Sequence, residues 1–418
     1  MMRLLSDTVP LRTTADLGEY REARTLPWVY GRVTLEPIPA DTRGRLWLVA
    51  DHAIDGITAV RSGGVRVSGW QVATRVDDDG RVTSMLELSQ APEDPLSIDV
   101  VGKRNRDTGA LIVHPADIVA DILTASGWTI PRWYGDQLRA DYPALELGGV
   151  LDDHNRTLRS VVDEILIPLG VVWSASPWIA MEEIERDPVA TLDVDDPEAS
   201  ARHDDIVTEL RGLYAYDWAA RKERRAVRAE APQAVRQYGR IERDWVMPWV
   251  QQPRDAERIV MRRLQRLARP QWRITGRVEL REPLPEIGET VRVDHPVVPD
   301  APGLLMLREI DRTQARVDLE WLAPAGEVPE VRVASYGQAI DAAAAETLQV
   351  VFRDGIATFT VLTDAGAPLA GAAVTLDGRT TRQTDRFGKV QFAIADPGEH
   401  TLEVVASGFD PFEMTVRL

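Results

Sequence analysis

The chain has 418 residues, 44% of them hydrophobic, with 49 Lys and Arg against 66 Asp and Glu, a formal charge of −17 and no cysteine. That length exceeds one ordinary core and predicts roughly two to four domains. The absent thiols exclude a disulfide framework and a thiolate zinc site, and the acidic balance argues against a reader of phosphate backbones.

Residues 1–25 read as a polar, irregular tail or linking arm. Met1 to Glu22 lacks the apolar centre of a signal peptide, and no apolar run approaches the ~20 residues of a membrane span. The expectation is a protein made and kept in the cytosol, or carried out in a particle. Structure begins at Leu26 to Leu35, and short strands follow: Leu46 to Val49, Ile54 to Val60, Val65 to Val67, Val72 to Val76, Ser84 to Ser89 and Ser97 to Val101. Gly63-Gly64, Asp79-Gly80 and Gly102 separate them as turn formers, so residues 1–112 are expected to be a first all-β domain.

Residues 113–205 read as an α+β insertion. His114-Pro115-Ala116-Asp117 opens a helix with Ile118, Val119, Ile122 and Leu123 on its apolar side. A second helix follows Asn155, with Leu158, Val161, Val162, Ile165 and Leu166 inward, and a hairpin joins Val171–Trp173 to Trp178–Met181. From Ile206 the pattern returns to β. The charged run Arg221 to Glu230 reads as a solvated loop or hairpin tip, and Tyr238-Gly239 as a strand end.

Between Tyr238 and Leu322 the local signals agree best. Asp255 and Glu257 lie in the first turn of a helix that Arg262, Arg263, Arg266 and Arg269 finish and Pro270 stops, the charge order that a helix dipole favours. Ala256, Ile259, Val260, Leu264, Leu267 and Ala268 form its apolar stripe, which leaves the arginines facing water. Trp272, Ile274, Gly276, Val278 and Leu280 then alternate with polar residues, and strands follow at Thr290–Asp294, Leu304–Ile310 and Arg316–Trp321. Residues 206–325 are therefore expected to be a second small β-barrel or sandwich with this helix laid on it. Ala323 to Ala345 reads as a linker. A last β-sandwich is expected over residues 335–418, opened by a hairpin at Asp354-Gly355.

Chemistry is hard to find in this chain. It holds no Gly-x-Ser-x-Gly elbow, phosphate-binding glycine loop or His-Glu-x-x-His helix, and its six histidines are scattered. The acidic clusters Asp77-Asp78-Asp79, Asp152-Asp153-His154, Asp193 with Asp195-Asp196, and His203-Asp204-Asp205 lack the alternating oxygens of a calcium loop and read as turns. Most of the twelve tryptophans, among them Trp28, Trp47, Trp70, Trp173, Trp178, Trp272 and Trp321, fall at inward strand positions. Trp245 and Trp249, around Met247-Pro248, lie in an irregular stretch that suits a subunit contact. No catalytic, cofactor-binding or metal-ligating residue is nominated, and no enzyme is expected.

The order of parts resembles the baseplate hub, or tail-tip, proteins of long-tailed bacteriophages over roughly residues 25–325. Pro27-Trp28-Val29-Tyr30-Gly31, Pro115 to Leu123, Tyr238-Gly239, the arginine-rich helix and Ile287-Gly288-Glu289-Thr290-Val291 carry that resemblance. It implies a homotrimer in which each chain gives two barrel domains to a ring of six similar units. Such a ring would sit under a hexameric tail tube or distal tail protein, beside tape-measure, tail-tip, fibre or spike proteins, with DNA only in passage. Assembly in the host cytoplasm into a virion is implied as well. The C-terminal stretch, through Thr363 to Ala372, Thr384 to Gly388, Gly398 to Leu402 and Ser407 to Phe409, resembles the carboxypeptidase-regulatory type of immunoglobulin-like sandwich, a binding or spacer module. A tail-associated cell-wall hydrolase and a carbohydrate-binding surface protein are the alternative readings; the first lacks a motif and the second an export signal.

Overall fold

A computed structural model describes residues 5–14, 24–131, 133–175, 178–182, 186–202, 206–279, 285–296, 303–311, 316–324, 328–334, 347–353, 356–362, 369–394, 398–406 and 412–417. The fold is mainly β, as the sequence predicts. His203 to Asp205, Leu280 and Asp354-Gly355, together with most of Thr363 to Ala372 and Ser407 to Phe409, lie outside the described residues.

The expected tail is in part built in. Val9 is 2% exposed, its amide donates to the Arg156 carbonyl at 3.0 Å, and the Leu158 amide donates to Asp7 at 2.9 Å. Arg12 donates through Nε to Asp51 at 2.7 Å and also pairs with Asp77. Residues 5–14 thus close the start of a later helix, an anchoring by long-range partners that local polarity could not reveal.

The first β unit comprises β1 (Trp28–Tyr30), β2 (Arg32–Leu35), β3 (Ile38–Pro39), β4 (Leu46–Ala50), β5 (Ile54–Ser62), β6 (Val65–Arg66), β7 (Trp70–Val76), β8 (Val82–Leu88) and β9 (Leu96–Lys103). Two antiparallel sheets result, ordered β3-β4-β8-β7 and β2-β9-β5-β6. Val33, Leu35, Val49, Val60, Leu86, Ile98 and Val100 fill one core between them, to which Val150 and Trp218 come from outside the first 112 residues. Each such fully buried aliphatic side chain contributes about 1.5–3 kcal/mol.

The next elements are α1 (Pro115–Ala125), α2 (Asp136–Asp141), β10 (Gly149–Leu151), α3 (Leu158–Leu166) with a turn of 3-10 helix at Ile167–Leu169, and the hairpin β11 (Val171–Ala175) and β12 (Trp178–Glu182). α1 starts where the His114 ring accepts the Ala116 amide at 3.2 Å, and α3 where Thr157 accepts the Ser160 amide at 3.1 Å. The predicted apolar positions of both helices are buried. β10 pairs with β1, so the insertion is stitched back to the first unit.

After β13 (Ala190–Leu192), β14 (Asp195–Arg202), β15 (Glu209–Asp217), β16 (Lys222–Glu230), α4 (Pro232–Tyr238), β17 (Glu242–Val246) and α5 (Pro253–Leu267) come β18 (Gln271–Glu279), β19 (Thr290–Val293), β20 (Gly303–Asp311), β21 (Arg316–Pro324) and β22 (Arg332–Ala334). Several expectations change here. The charged run is the strand β16: Ala226, Val227 and Ala229 are buried, while Arg228 pairs with Glu209 and Arg224 with Asp217 on β15. Tyr238-Gly239 ends a helix, with Gly239 at φ 81°. Ala323 is fully buried, and β22 pairs with β16, so the expected linker is structured on both sides of 325–327.

Over residues 206–325 the strands fall into two sheets. α5 packs mainly on β15 and β16, and also on β22, within the sheet β17-β15-β16-β22, and less on β18 to β21, the strands that directly follow it. Those strands join the six-stranded sheet β13-β19-β20-β21-β18-β14 around Ile274, Val278, Val291, Val293 and Leu305. β13 and β14, expected in the insertion, belong to this sheet, and their partners lie 69 to 101 residues away, beyond the reach of periodicity.

The C-terminal unit holds β23 (Thr347–Arg353), β24 (Ile356–Leu362), β25 (Ala373–Leu376), β26 (Thr380–Gln383), β27 (Lys389–Ala393), β28 (Glu399–Val405) and β29 (Phe412–Arg417). Sheets β23-β24-β27 and β26-β25-β28-β29 share a core of Phe359, Val361, Val374, Phe392, Leu402 and Val404, the arrangement of a sandwich. No helix among the described residues is long and apolar enough to cross a membrane.

Candidate assembly surface

Where the units meet, the chain is held by buried aromatics. Trp249 is 1% exposed, with its ring 6.2 Å from Tyr30 and 6.4 Å edge-on from Trp218, and its Nε1 donates to Glu164 on α3 at 2.8 Å. It therefore touches the first unit, the insertion and the end of β15 at once. A subunit contact is the wrong reading for this residue, because the ring has no surface left to offer. Trp245 is half-buried, donates to the Pro168 carbonyl at 2.8 Å and lies under the Arg263 guanidinium at 4.7 Å. Arg258 and Arg262 lie over the Tyr142 ring in the same way, at 5.0 and 5.5 Å. Arg258, Arg262 and Arg263 of α5 are thus half-buried and stacked instead of facing water, a use that guanidinium planes serve well.

Small residues make this junction possible. A Cβ at Gly149 would lie 2.1 Å from the Trp249 ring, and one at Gly31, where φ is +62°, would lie 2.0 Å from the Leu147 carbonyl oxygen. Polar groups are satisfied alongside. Tyr30 Oη donates to Asp121 at 2.7 Å, Lys103 Nζ to the same carboxylate at 2.6 Å, and burial raises the Tyr30 pKa well above its ordinary value. The His52 Nε2 accepts the Val29 amide at 2.8 Å and its Nδ1 bonds the Ala53 carbonyl at 2.9 Å, so the ring is neutral; burial pushes its pKa down to about 4.

Two of the acidic clusters have partners within the fold. Asp77 accepts the Asp79 and Arg81 amides and pairs with Arg12; Asp152 pairs with Arg221 at 2.6 Å; His154 bonds Thr25 at 2.9 Å. No group of three potential metal ligands occurs among the described residues. The tryptophans Trp28, Trp47, Trp70, Trp173 and Trp272 pack against the cores as predicted, while the side chains of Trp178 and Trp321 lie outside what is described.

Among the described residues β7 and β6 each end a sheet of the first unit, and β17 ends a sheet of the second. These edges carry exposed apolar side chains: Val65 at 72%, Val72 at 41% and Val76 at 61% in the first unit, with Ile241 just before β17 and Val246 at its end in the second. Exposed edges bearing apolar side chains are sites for another chain. Ala73 of β7 packs toward the core of Leu48 and Met85, while Val72 and Val76 are exposed. The strand was legible in the sequence, but only the sheet order shows that it is an edge.

No family model and no curated protein matches the chain. Solved structures do. The virion of a native gene transfer agent particle contains a chain similar to this one at 12% identity and a TM-score of 0.51, over 79% of this chain and 91% of that one. At that identity the likeness is one of fold. A tail protein from Neisseria meningitidis MC58 (14% identity, TM-score 0.32, 72% of this chain and 93% of that one) and the 43 kDa tail protein of prophage MuSo2 from Shewanella oneidensis (10%, 0.33, 74% and 97%) are more distant in shape.

Proposed function

We propose that the chain is a structural virion protein, a trimeric hub at the distal end of a bacteriophage tail tube that joins tube to tail tip and lines the DNA channel. One observation carries the reading: two β units in a single chain, locked together around Trp249, each present a strand edge with exposed apolar side chains. Three such chains close a ring of six units and leave no edge unmatched, which a monomer cannot do. The fold likeness to a chain of the gene transfer agent virion adds support. In this proposal residues 1–112 and 206–325 supply the ring units, 113–205 the insertion apart from β13 and β14, and 335–418 an immunoglobulin-like appendage. The charge of −17 suits a channel wall that DNA slides past without condensing on it. The protein performs no chemistry of its own and needs no cofactor.

Sedimentation of the purified chain tests this. The reading expects a species of three times the 46.5 kDa chain mass, reduced to a monomer of unchanged circular dichroism by Val72→Lys with Val76→Lys. A wild-type monomer under all conditions, or a trimer indifferent to both substitutions, contradicts the proposed contacts.

A further inference from the structure

Of the six Lys and Arg in residues 347–418, four lie between 379 and 389: Arg379, Arg382, Arg386 and Lys389. None of the four is in an ion pair among the described residues. This departs from the body of the chain, where arginines such as Arg61, Arg139, Arg211 and Arg228 are matched to carboxylates. The two carboxylates nearby are already used. Asp377 bonds His400 at 2.8 Å and the Thr401 amide, and Asp385 accepts the amides of Phe387 and Lys389 at 2.8 and 2.9 Å.

Two of the four, Arg382 and Lys389, line a groove. β26 and β27 are the edge strands of the two sheets, joined by the turn 384–388, and between them lies an open cavity of about 360 Å³ lined by Arg382, Gln383, Asp385, Lys389, Val390 and Gln391. Its walls are fixed in advance. Arg382 donates to the Gln391 carbonyl at 2.7 Å across the two sheets and stacks 5.5 Å over Phe392, while the buried Thr384 hydroxyl accepts the Ala372 amide at 2.9 Å and anchors the turn. At its tip Phe387 is 54% exposed, with the Arg386 guanidinium 4.7 Å from the ring.

We propose that this groove binds an anionic glycan. Arg382 and Lys389, neither of them in an ion pair among the described residues, supply the counter-charge for a carboxylate or phosphate, Gln383 and Gln391 offer amide groups matched to hydroxyls, and an exposed ring offers an apolar face to the C–H side of a pyranose. The volume falls within the ~300–1,000 Å³ range of ligand pockets. Single-stranded nucleic acid would call for several stacking rings along a basic channel, whereas this groove has one ring on a chain of net charge −17. The assignment goes beyond the hub reading and does not depend on it.

Calorimetric titration of the full chain would use oligogalacturonate, hyaluronan fragments and phosphomannan oligosaccharides as anionic probes, with neutral dextran and oligothymidylate as comparisons. At least one anionic glycan is expected to bind tenfold or more tighter than either comparison. Lys389→Gln, at a fully surface position, and Phe387→Ala should each weaken that binding at least fivefold at unchanged melting temperature, while Arg211→Gln on the body leaves it intact. Binding by none of the anionic glycans, equal binding of oligothymidylate, or binding that survives Lys389→Gln together with Arg382→Gln overturns the assignment.

Discussion

At the residue scale, the buried junction makes two demands that can be measured. His52 is neutral in the fold with a pKa near 4, below its ordinary 6.5. A folded pKa lowered in this way means that the unfolded chain binds the extra proton first. The contribution of His52 to stability is therefore fully present above about pH 6.5 and is lost as pH falls toward 4, by about 3 kcal/mol over that interval. Urea midpoints of wild type and His52→Gln at pH 7 and pH 4.5 separate this from the titration of carboxylates: the wild type should lose more. Identical losses would remove His52 from the account. Gly149→Ala pushes a methyl group into the Trp249 ring and should cost at least about 1–3 kcal/mol, read as a lowered melting temperature with near-ultraviolet tryptophan signals altered. Neither residue announces itself in the sequence. A single His and a single Gly carry no pattern, and their roles arise from partners such as Val29 and Trp249, distant along the chain.

At the element scale, legibility followed locality. α5 was readable because its stripe and charge order lie within 15 residues, and Ala256, Ile259, Val260, Leu264 and Ala268 are all buried. Its packing partner was not, since β15 and β16 precede it and β16 hides behind Arg224, Arg225 and Arg228. Those arginines mask a strand because they are answered across the ladder by acids such as Asp217 and Glu209, whose side chains are 1% and 0% exposed. The candidate surface was legible only in part: the strands of the first unit were seen, but which of them ends a sheet is a property of topology. The C-terminal strands and turns are local enough to stand alone, with a core of their own in Phe359, Val374, Phe392 and Leu402. A fragment of residues 335–418 should accordingly melt in one cooperative step and give a dispersed amide spectrum. A collapsed spectrum would mean that the sandwich needs the preceding chain.

At the scale of the whole molecule, the argument concerns closure. A chain whose units are fused through a buried aromatic junction cannot cover its own strand edges by moving one unit against the other, so the edges must be met by further copies or by neighbours. Composition and motifs nominated no catalytic residue, and the order of parts foretold a mainly β chain with an α+β insertion. The partition into sheets escaped both, because strands as far apart as β13 and β19, or β1 and β10, complete each other's ladders. Trimeric closure under a six-fold tube is the central claim, and imaging of an intact particle by electron cryomicroscopy tests it most directly. The account predicts three-fold density at the distal end of the tube with two β lobes per chain; a six-fold ring of whole chains, or a single copy off the axis, would contradict it.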